Sequence, residues 1–407
     1  MNLRNVDMTN ALSSNEPDQY TTMVSSSGGT YMMQKSLVLG YVHPPNDKRV
    51  KRNVIALSKS FDVYYQFLGK NPQEAPEDSV HRLPIMRTSS KNPVKAFARW
   101  RSFDKTIIKL IEQVKPSLIL LNDMPLARPI EIVEAAKSQK ACVIIDLHEL
   151  VPEQRLTQRF SFLWRIYKGG VWKLFSAYLS YADGVIGVSE QQLSEISKKI
   201  PMEIPSIVVT NYALERASPL PFCLRKREIA IVGKTSRIFT PNTVELLKML
   251  KRKEFDICVI GGMRQQKELK EIGIINTGFL KYKDMIDRIS ESLFSFVGFR
   301  TNKRKLSLND KYSAPNKYFD SVAAGTPIIV SRDFEFMSKN VLDNSIGIVL
   351  DLGKPDKAAL SIMRATQKNS YQALLANISA HQAKYVWDYE KENELIAFVK
   401  RICGSKT

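Results

Sequence analysis

From Lys35 onward, short apolar runs alternate with longer stretches whose apolar residues recur at helical spacing. Runs of roughly four to eight residues are too short for helices and read as buried strands. Their alternation with helical segments marks βαβ units and parallel sheets. In the first half the runs are 36–42 (SLVLGYV), 62–68 (DVYYQFL), 117–122 (SLILLN), 141–146 (ACVIID), 184–189 (GVIGVS) and 206–210 (SIVVT). A second set follows at 228–233 (EIAIVG), 255–261 (FDICVIG), 293–299 (LFSFVGF), 326–331 (TPIIVS) and 347–351 (GIVLD). Between the sets, Ala213 to Arg227 holds two prolines and no strand pattern, which places a linker there. The expected organisation is a polar tail over 1–34, a first domain over 35–215 and a second over 225–384. An amphipathic helix over 385–403 closes the chain and is free to pack back on the first domain. Two doubly wound halves bring the carboxyl ends of their strands face to face across a cleft, where ligands of such sheets bind.

A length of 407 residues agrees with two domains. Charge changes the picture more. Sixty Lys and Arg against 41 Asp and Glu give a net charge of +19, a field that draws in polyanions: nucleic acid, anionic lipid or phosphorylated substrates. Cys142, Cys223, Cys258 and Cys403 are scattered without metal-ligand spacing, and Cys142 and Cys258 sit in apolar runs, as reduced core thiols do. No apolar run approaches the length of about 18 residues that a membrane span needs, and the first residues carry no apolar signal core. The expected compartment is therefore the cytoplasm.

Five segments then carry a resemblance. HPPNDKRVKRNVIAL after the first strand is similar to a "D-x-R-V" loop and helix, and IIDLHELVPE (144–153) to "D-x-H-E…P-E". YADGVIGVS (181–189) is similar to "A-D-x-V-I-x-V-S", and TNYA (210–213) to "N-x-P/A". APNKYFDSVAAGTPIIVS (314–331) is similar to "P-x-K-x-F-E-Y-M-A-A-G-x-P-V-I". In this order they resemble the retaining group-1 glycosyltransferases, in their bacterial "D-x-H-E" branch, from about Ser36 to Lys400. The fold class implied is α/β, of GT-B type: two doubly wound Rossmann-like domains facing a central cleft.

The resemblance implies a nucleotide-sugar donor, UDP- or GDP-linked, held by the second domain. Gly233, Lys234 and Arg237 follow a strand end and precede a helix start, a place where cations and backbone N–H groups grip a diphosphate. Asn316 and Lys317 open a second helix toward the same phosphate. Asp320 takes the position of the family's second Glu, where a carboxylate accepts both ribose hydroxyls. The family's first Glu falls on Tyr312, a departure for which Asp310 is a candidate substitute. His148 and Glu149 end a strand of the first domain, where His148 is implied to touch the transferred sugar and Glu149 to orient it or meet the acceptor. Asp47 and Arg49 lie on the loop after the first strand, on the acceptor side. An exposed helix acid, a core histidine and a structural salt bridge at Arg49 are the plainer readings of the same residues. No Asp-x-Asp occurs, so no metal and no other cofactor is expected at the diphosphate.

Positive charge concentrates in the first domain. Residues 81–115 carry nine Lys or Arg against two acids, with Phe97, Trp100 and Phe103 interleaved. Residues 155–181 carry five cations, no acids and eight aromatics, among them Trp164, Tyr167, Trp172 and Phe175. Aromatics beside cations suit an anionic membrane surface, or a sheet-packed helix with solvated cations. A further cluster, Arg300 to Lys305, follows a strand of the second domain. No nucleic-acid-binding module is visible. The expected activity is sugar transfer, with retention, to a glycan or polyprenyl-diphosphate-linked acceptor in capsule or lipopolysaccharide synthesis, by a cytoplasmic enzyme peripheral to the membrane. The alternatives are a GT-B nucleotide-sugar epimerase and a catalytically silent GT-B scaffold at the membrane.

Overall fold

A computed structural model describes residues 33–71, 79–154, 161–200, 203–233, 238–262, 267–298 and 306–404. Two all-parallel sheets organise them. The first holds β1 (Lys35–Leu39), β2 (Asp62–Leu68), β3 (His81–Ile85), β4 (Leu118–Asn122), β5 (Cys142–Leu147), β6 (Gly184–Gly187) and β7 (Ser206–Val208), in the order β3-β2-β1-β4-β5-β6-β7. The second holds β8 (Lys226–Val232), β9 (Asp256–Ile260), β10 (Ile275–Gly278), β11 (Ser292–Val297), β12 (Ile328–Ser331) and β13 (Gly347–Leu350), in the order β10-β9-β8-β11-β12-β13. Each sheet reverses its winding once, between β1 and β4 and between β8 and β11. Such a switch opens a crevice at the carboxyl ends of the strands.

Every apolar run read as a strand is a strand. β3 and β10 were not anticipated. They are the outer strands of their sheets, pair on one side only, and read HRLPI and INTG. Pro84 sits on β3, where the missing N–H costs least.

Helices cover both faces of the first sheet because its strands alternate which core they feed. Leu37, Leu39, Ile119, Leu121, Val143 and Ile145 point toward α2 (Pro93–Val114) and α3 (Ser161–Leu179). Val38, Leu120 and Ile144 point the other way, into a core shared with Val50, Val54 and Leu57 of α1 (Lys48–Ser58). The second sheet is flanked among others by α4 (Tyr282–Ser290) and α5 (Asn316–Ala323). The closing helix α6 (Tyr389–Gly404) does not pack on the second sheet that precedes it. Its Leu395, Phe398, Val399 and Ile402 fill the same core as Val38 and Leu57, and the Phe398 ring lies against Gly184 of β6. The last helix therefore ties the end of the chain to the first sheet. Among the described residues, no helix is long and apolar enough to cross a membrane.

Phe398 is 4% exposed. Replacing it with Ala removes a ring from a close-packed interior and should cost about 3–5 kcal/mol. Urea unfolding followed by the signal of the first sheet checks this: a clear fall in midpoint is expected, and an unchanged midpoint would show that α6 is not structural.

Candidate functional site

The site is organised by the first turn of α1. The chain leaves β1 at Leu39 and returns into α1 at Asp47, whose extended backbone and side chain cap the helix, accepting from the Arg49 and Val50 amides. Three successive residues then face three directions. Asp47 also meets His43 Nδ1 at 3.1 Å. Lys48 reaches across to the second sheet and bonds Asp320 Oδ1 at 2.6 Å. Arg49 turns inward, 1% exposed, and donates through Nε to Asp146 Oδ2 at 3.0 Å, through Nη2 to the same carboxylate and through Nη1 to the Val209 carbonyl. Asn53, one turn on, donates to Asp146 Oδ2 at 2.8 Å. Of the two readings of Arg49, an acceptor-side residue or half of a structural salt bridge, its buried pair with Asp146 fits the second. Asp146 is fully buried at the end of β5, and only a fork-shaped cation aligned with it makes that burial tolerable.

The ends of β4 and β5 lie beside this turn. Asn122, the last residue of β4, donates to the Leu39 carbonyl at 3.0 Å, which leaves its Oδ1 to accept from His148 Nε2 at 3.0 Å. Asp123 follows with φ at +61°, a left-handed conformation that Asp tolerates better than most residues. Its Oδ1 accepts from the His148 amide at 2.9 Å, and its Oδ2 lies 3.5 Å from His43 Nε2. The rings of His43 and His148 are 4.5 Å apart, centre to centre.

Burial alone would lower the pKa of His43, but Asp123 and Asp47 outweigh it and push it up to about 10. Burial would raise Asp47, and the His43 contact holds it well below the usual carboxylate range. His148 goes the other way: burial lowers it despite Asp123 and Asp146, so its ring stays neutral near neutral pH. The two imidazoles, in contact with their planes tilted by 44°, are thus tuned in opposite directions.

The second sheet presents the other wall. Gly233 closes β8 with φ at +91° and Gly261 follows β9 at +134°. A Cβ on Gly261 would stand 2.7 Å from the Gly233 carbonyl oxygen, so the two loops touch backbone to backbone and need glycine. Asn316 and Lys317 form the first turn of α5 after Pro315, with Asn316 exposed. Lys317 Nζ donates to the carbonyl of Gly298, just past β11, and burial lowers its pKa to about 8. Asp320, on the next turn, is 5% exposed, and its Oδ1 accepts from Lys48 and from the Tyr282 hydroxyl of α4 at 2.7 Å. Lys234, Arg237 and the cluster from Arg300 to Lys305 lie outside the described residues.

Further bonds join the walls. Asn309 accepts from the Leu150 amide at 2.7 Å, and its amide group contacts Glu149 Oε2 at 3.4 Å. Asn211 donates to the Ala314 carbonyl at 2.8 Å, and Ser189 to the Tyr312 carbonyl at 3.4 Å. Glu149, expected to orient His148 or to meet the acceptor, contacts Asn309, and Asn122 and Asp123 hold His148. The expected residues are therefore brought together in part. Asp47 and His148 are linked through His43 and Asp123, the adjacent Lys48 bonds Asp320, Glu149 contacts Asn309, Lys317 bonds Gly298, and Arg49 is buried against Asp146. Lys48, His43, Asn122, Asp123 and Tyr282 were not singled out from the sequence. Of these, only His43 and Lys48 carried a signal, since both stand in the same HPPNDKR loop as Asp47.

The basic surfaces divide. On α2, Val94 and Phe97 are 79% and 53% exposed, whereas Phe103 is buried and Trp100 packs on Tyr41 under Arg87. On α3, Ile166 and Tyr167 are exposed, whereas Phe175 and Tyr178 are buried and Trp172 is partly so. Residues 155–160 and the Trp164 side chain lie outside the described residues.

No family model matches the sequence, and no curated protein matches it. The coordinates do match solved structures along nearly their whole length. Sucrose-phosphate synthase from Thermosynechococcus elongatus superposes with a TM-score of 0.65 at 13% identity, over 91% of this chain and 100% of that one. Trehalose-6-phosphate from Escherichia coli bound with UDP-2-fluoro glucose gives 0.60 at 10%, over 91% and 99%. A UDP-N-acetylglucosamine 2-epimerase gives 0.57 at 11%, over 92% and 96%. At these identities the likeness concerns the fold, which is the two-domain α/β arrangement of GT-B glycosyltransferases.

Arg49→Leu leaves Asp146 charged and buried without its main partner. A loss of about 3–5 kcal/mol is expected, as for other broken buried pairs. Chemical denaturation should show it, and Arg49→Leu combined with Asp146→Leu should recover part of the loss. A neutral single variant would contradict the pairing.

Proposed function

We propose that the protein is a glycosyltransferase that moves a sugar from a nucleotide-sugar donor to a glycan or lipid-linked glycan acceptor. The observation that supports it is convergence: one turn of α1 reaches Asp320 of α5, beside the second sheet, through Lys48 and the His43–Asp123–His148 group at the first through Asp47. Donor-side and acceptor-side residues thus border the same cleft. In this reading the diphosphate lies between the glycine loops at Gly233 and Gly261 and the first turn of α5. Lys317 and backbone N–H groups neutralise it in place of a metal, with Lys234 and Arg237 following in the same segment. The donor ribose takes Asp320 from Lys48. Neutral His148 lines the sugar pocket, fixed by Asn122. The bond between the anomeric carbon and the diphosphate breaks, and a bond to the acceptor oxygen forms on the same face. The acceptor proton passes to the departing phosphate, and attack on the face that the phosphate leaves gives retention. Use of a UDP- or GDP-linked donor remains part of the proposal, as does a place in surface polysaccharide synthesis.

Exposed Val94, Phe97, Ile166 and Tyr167 among the cations of α2 and α3 support a peripheral position at an anionic membrane on the cytoplasmic side, close to a polyprenyl-diphosphate-linked acceptor. An epimerase shares the fold, and nucleotide release that depends on added acceptor separates the two reactions. A silent scaffold would bind no donor at all.

Asp320→Asn should weaken UDP or GDP binding by about 1.5–3 kcal/mol, roughly ten- to a hundredfold, because bonds to a charged acceptor are lost. Calorimetric titration checks this, and unchanged affinity would remove Asp320 from the site.

Lys317 supplies a pH test. With its free-state pKa near 8 and a bound diphosphate raising it, binding takes up a proton. Affinity should be full below about pH 8 and fall as pH rises above it, by at most about tenfold per unit. Titrations in buffers of different ionisation enthalpy should show the uptake near pH 8.5, and Lys317→Met should abolish it. A flat profile would place the diphosphate elsewhere.

A further inference from the structure

His43 Nε2 is buried without a hydrogen-bond partner. The atom facing it, Asp123 Oδ2, stands 3.5 Å away, too far for a good N–H···O bond. One ligand-capable atom from each of His43, Asp123 and His148 lies within 4.8 Å of the others. In a tetrahedral site with bonds of about 2.0–2.2 Å, neighbouring ligand atoms stand roughly 3.4 Å apart. The gap between His43 and Asp123 thus has the width of one edge of such a site.

The surroundings are those of a metal site as well. His43 Nδ1 faces Asp47 at 3.1 Å, and His148 Nε2 faces Asn122 Oδ1, an atom that can only accept. Each imidazole therefore has an acceptor for one ring N–H, which leaves Nε2 of His43, once its proton is displaced, and Nδ1 of His148 to meet an ion. Ligating histidines are held in this way, the second nitrogen donating to a carboxylate or carbonyl oxygen. Asp123 Oδ1 is taken by the His148 amide, which turns Oδ2 toward His43. Charge agrees: Asp146 is matched by Arg49, so once an ion displaces the proton that Asp47 and Asp123 hold on His43, these two carboxylates leave two negative charges for one divalent ion. The side chains are 16%, 26% and 12% exposed, so the group is reachable from the cleft.

The geometry points to a divalent cation site formed by His43 Nε2, Asp123 Oδ2 and His148 Nδ1. Two nitrogens and one carboxylate oxygen favour a borderline ion of the Zn²⁺ or Co²⁺ kind over Mg²⁺ or Ca²⁺, which prefer all-oxygen sets. Three protein ligands leave a coordination position open to the cleft for an oxygen of a bound glycan or phosphate. The site stands on the first sheet, apart from the diphosphate, and does not depend on the donor reading.

The test uses the full chain, stripped with EDTA and dialysed, with Co²⁺ as the probe and Zn²⁺ in competition. One Co²⁺ per chain is expected, with the intense visible bands of a four- or five-coordinate ion that Zn²⁺ bleaches. His43→Ala and Asp123→Asn should abolish the bands, and Asp47→Asn, which touches no metal, should lower affinity roughly ten- to a hundredfold. Far-UV circular dichroism of each variant shows whether it is folded, and His43→Gln serves where His43→Ala is not. Absence of stoichiometric binding, or full affinity in a folded His43 variant, would overturn the site, whether or not the protein binds nucleotide.

Discussion

The buried pair of Arg49 and Asp146 is the constraint from which the cleft follows. A carboxylate at the end of β5 with no exposure is costly unless a cation meets it squarely, and Arg49 does so only if α1 begins within a residue or two of where it does. That fixes the helix start, and with it the directions of Asp47 and Lys48. One of these goes to the imidazole pair on the first sheet and the other to Asp320 on the second. The arginine thus acts beneath the site and holds the turn that spans it.

The two sheets contribute different chemistry because their strand ends differ. β4 ends in Asn122, with Asp123 and His148 just past β4 and β5, polar groups that orient one another through hydrogen bonds. β8 and β9 finish in Gly233 and Gly261, which present bare backbone. The first arrangement holds side chains in one protonation state, and the second lets an anion approach amides closely.

Much of this was legible in the order of residues. The buried strands announced themselves because parallel strands covered on both faces must be apolar throughout. The outer strands β3 and β10 did not, since HRLPI and INTG are half covered and need no such run. At the site, residues at strand ends or helix starts could be picked out one by one. Their partners were harder to see. Lys48 differs from many other lysines only in the direction α1 gives it, and Asp123 matters because a left-handed turn aims it at His43. A salt bridge at Arg49 could be read from the chain, but its partner Asp146, 97 residues on, could not. Adjacency in the chain located the loops, and only packing across loops distant in sequence decided which side chains met.

The most direct test of a shared cleft is a crystal structure with a nucleoside diphosphate bound. The account predicts the diphosphate between Gly233 and the first turn of α5, the ribose on Asp320, and Lys48 released from that carboxylate. A nucleotide bound away from α5, or one bound with the Lys48–Asp320 contact intact and the ribose elsewhere, would contradict it.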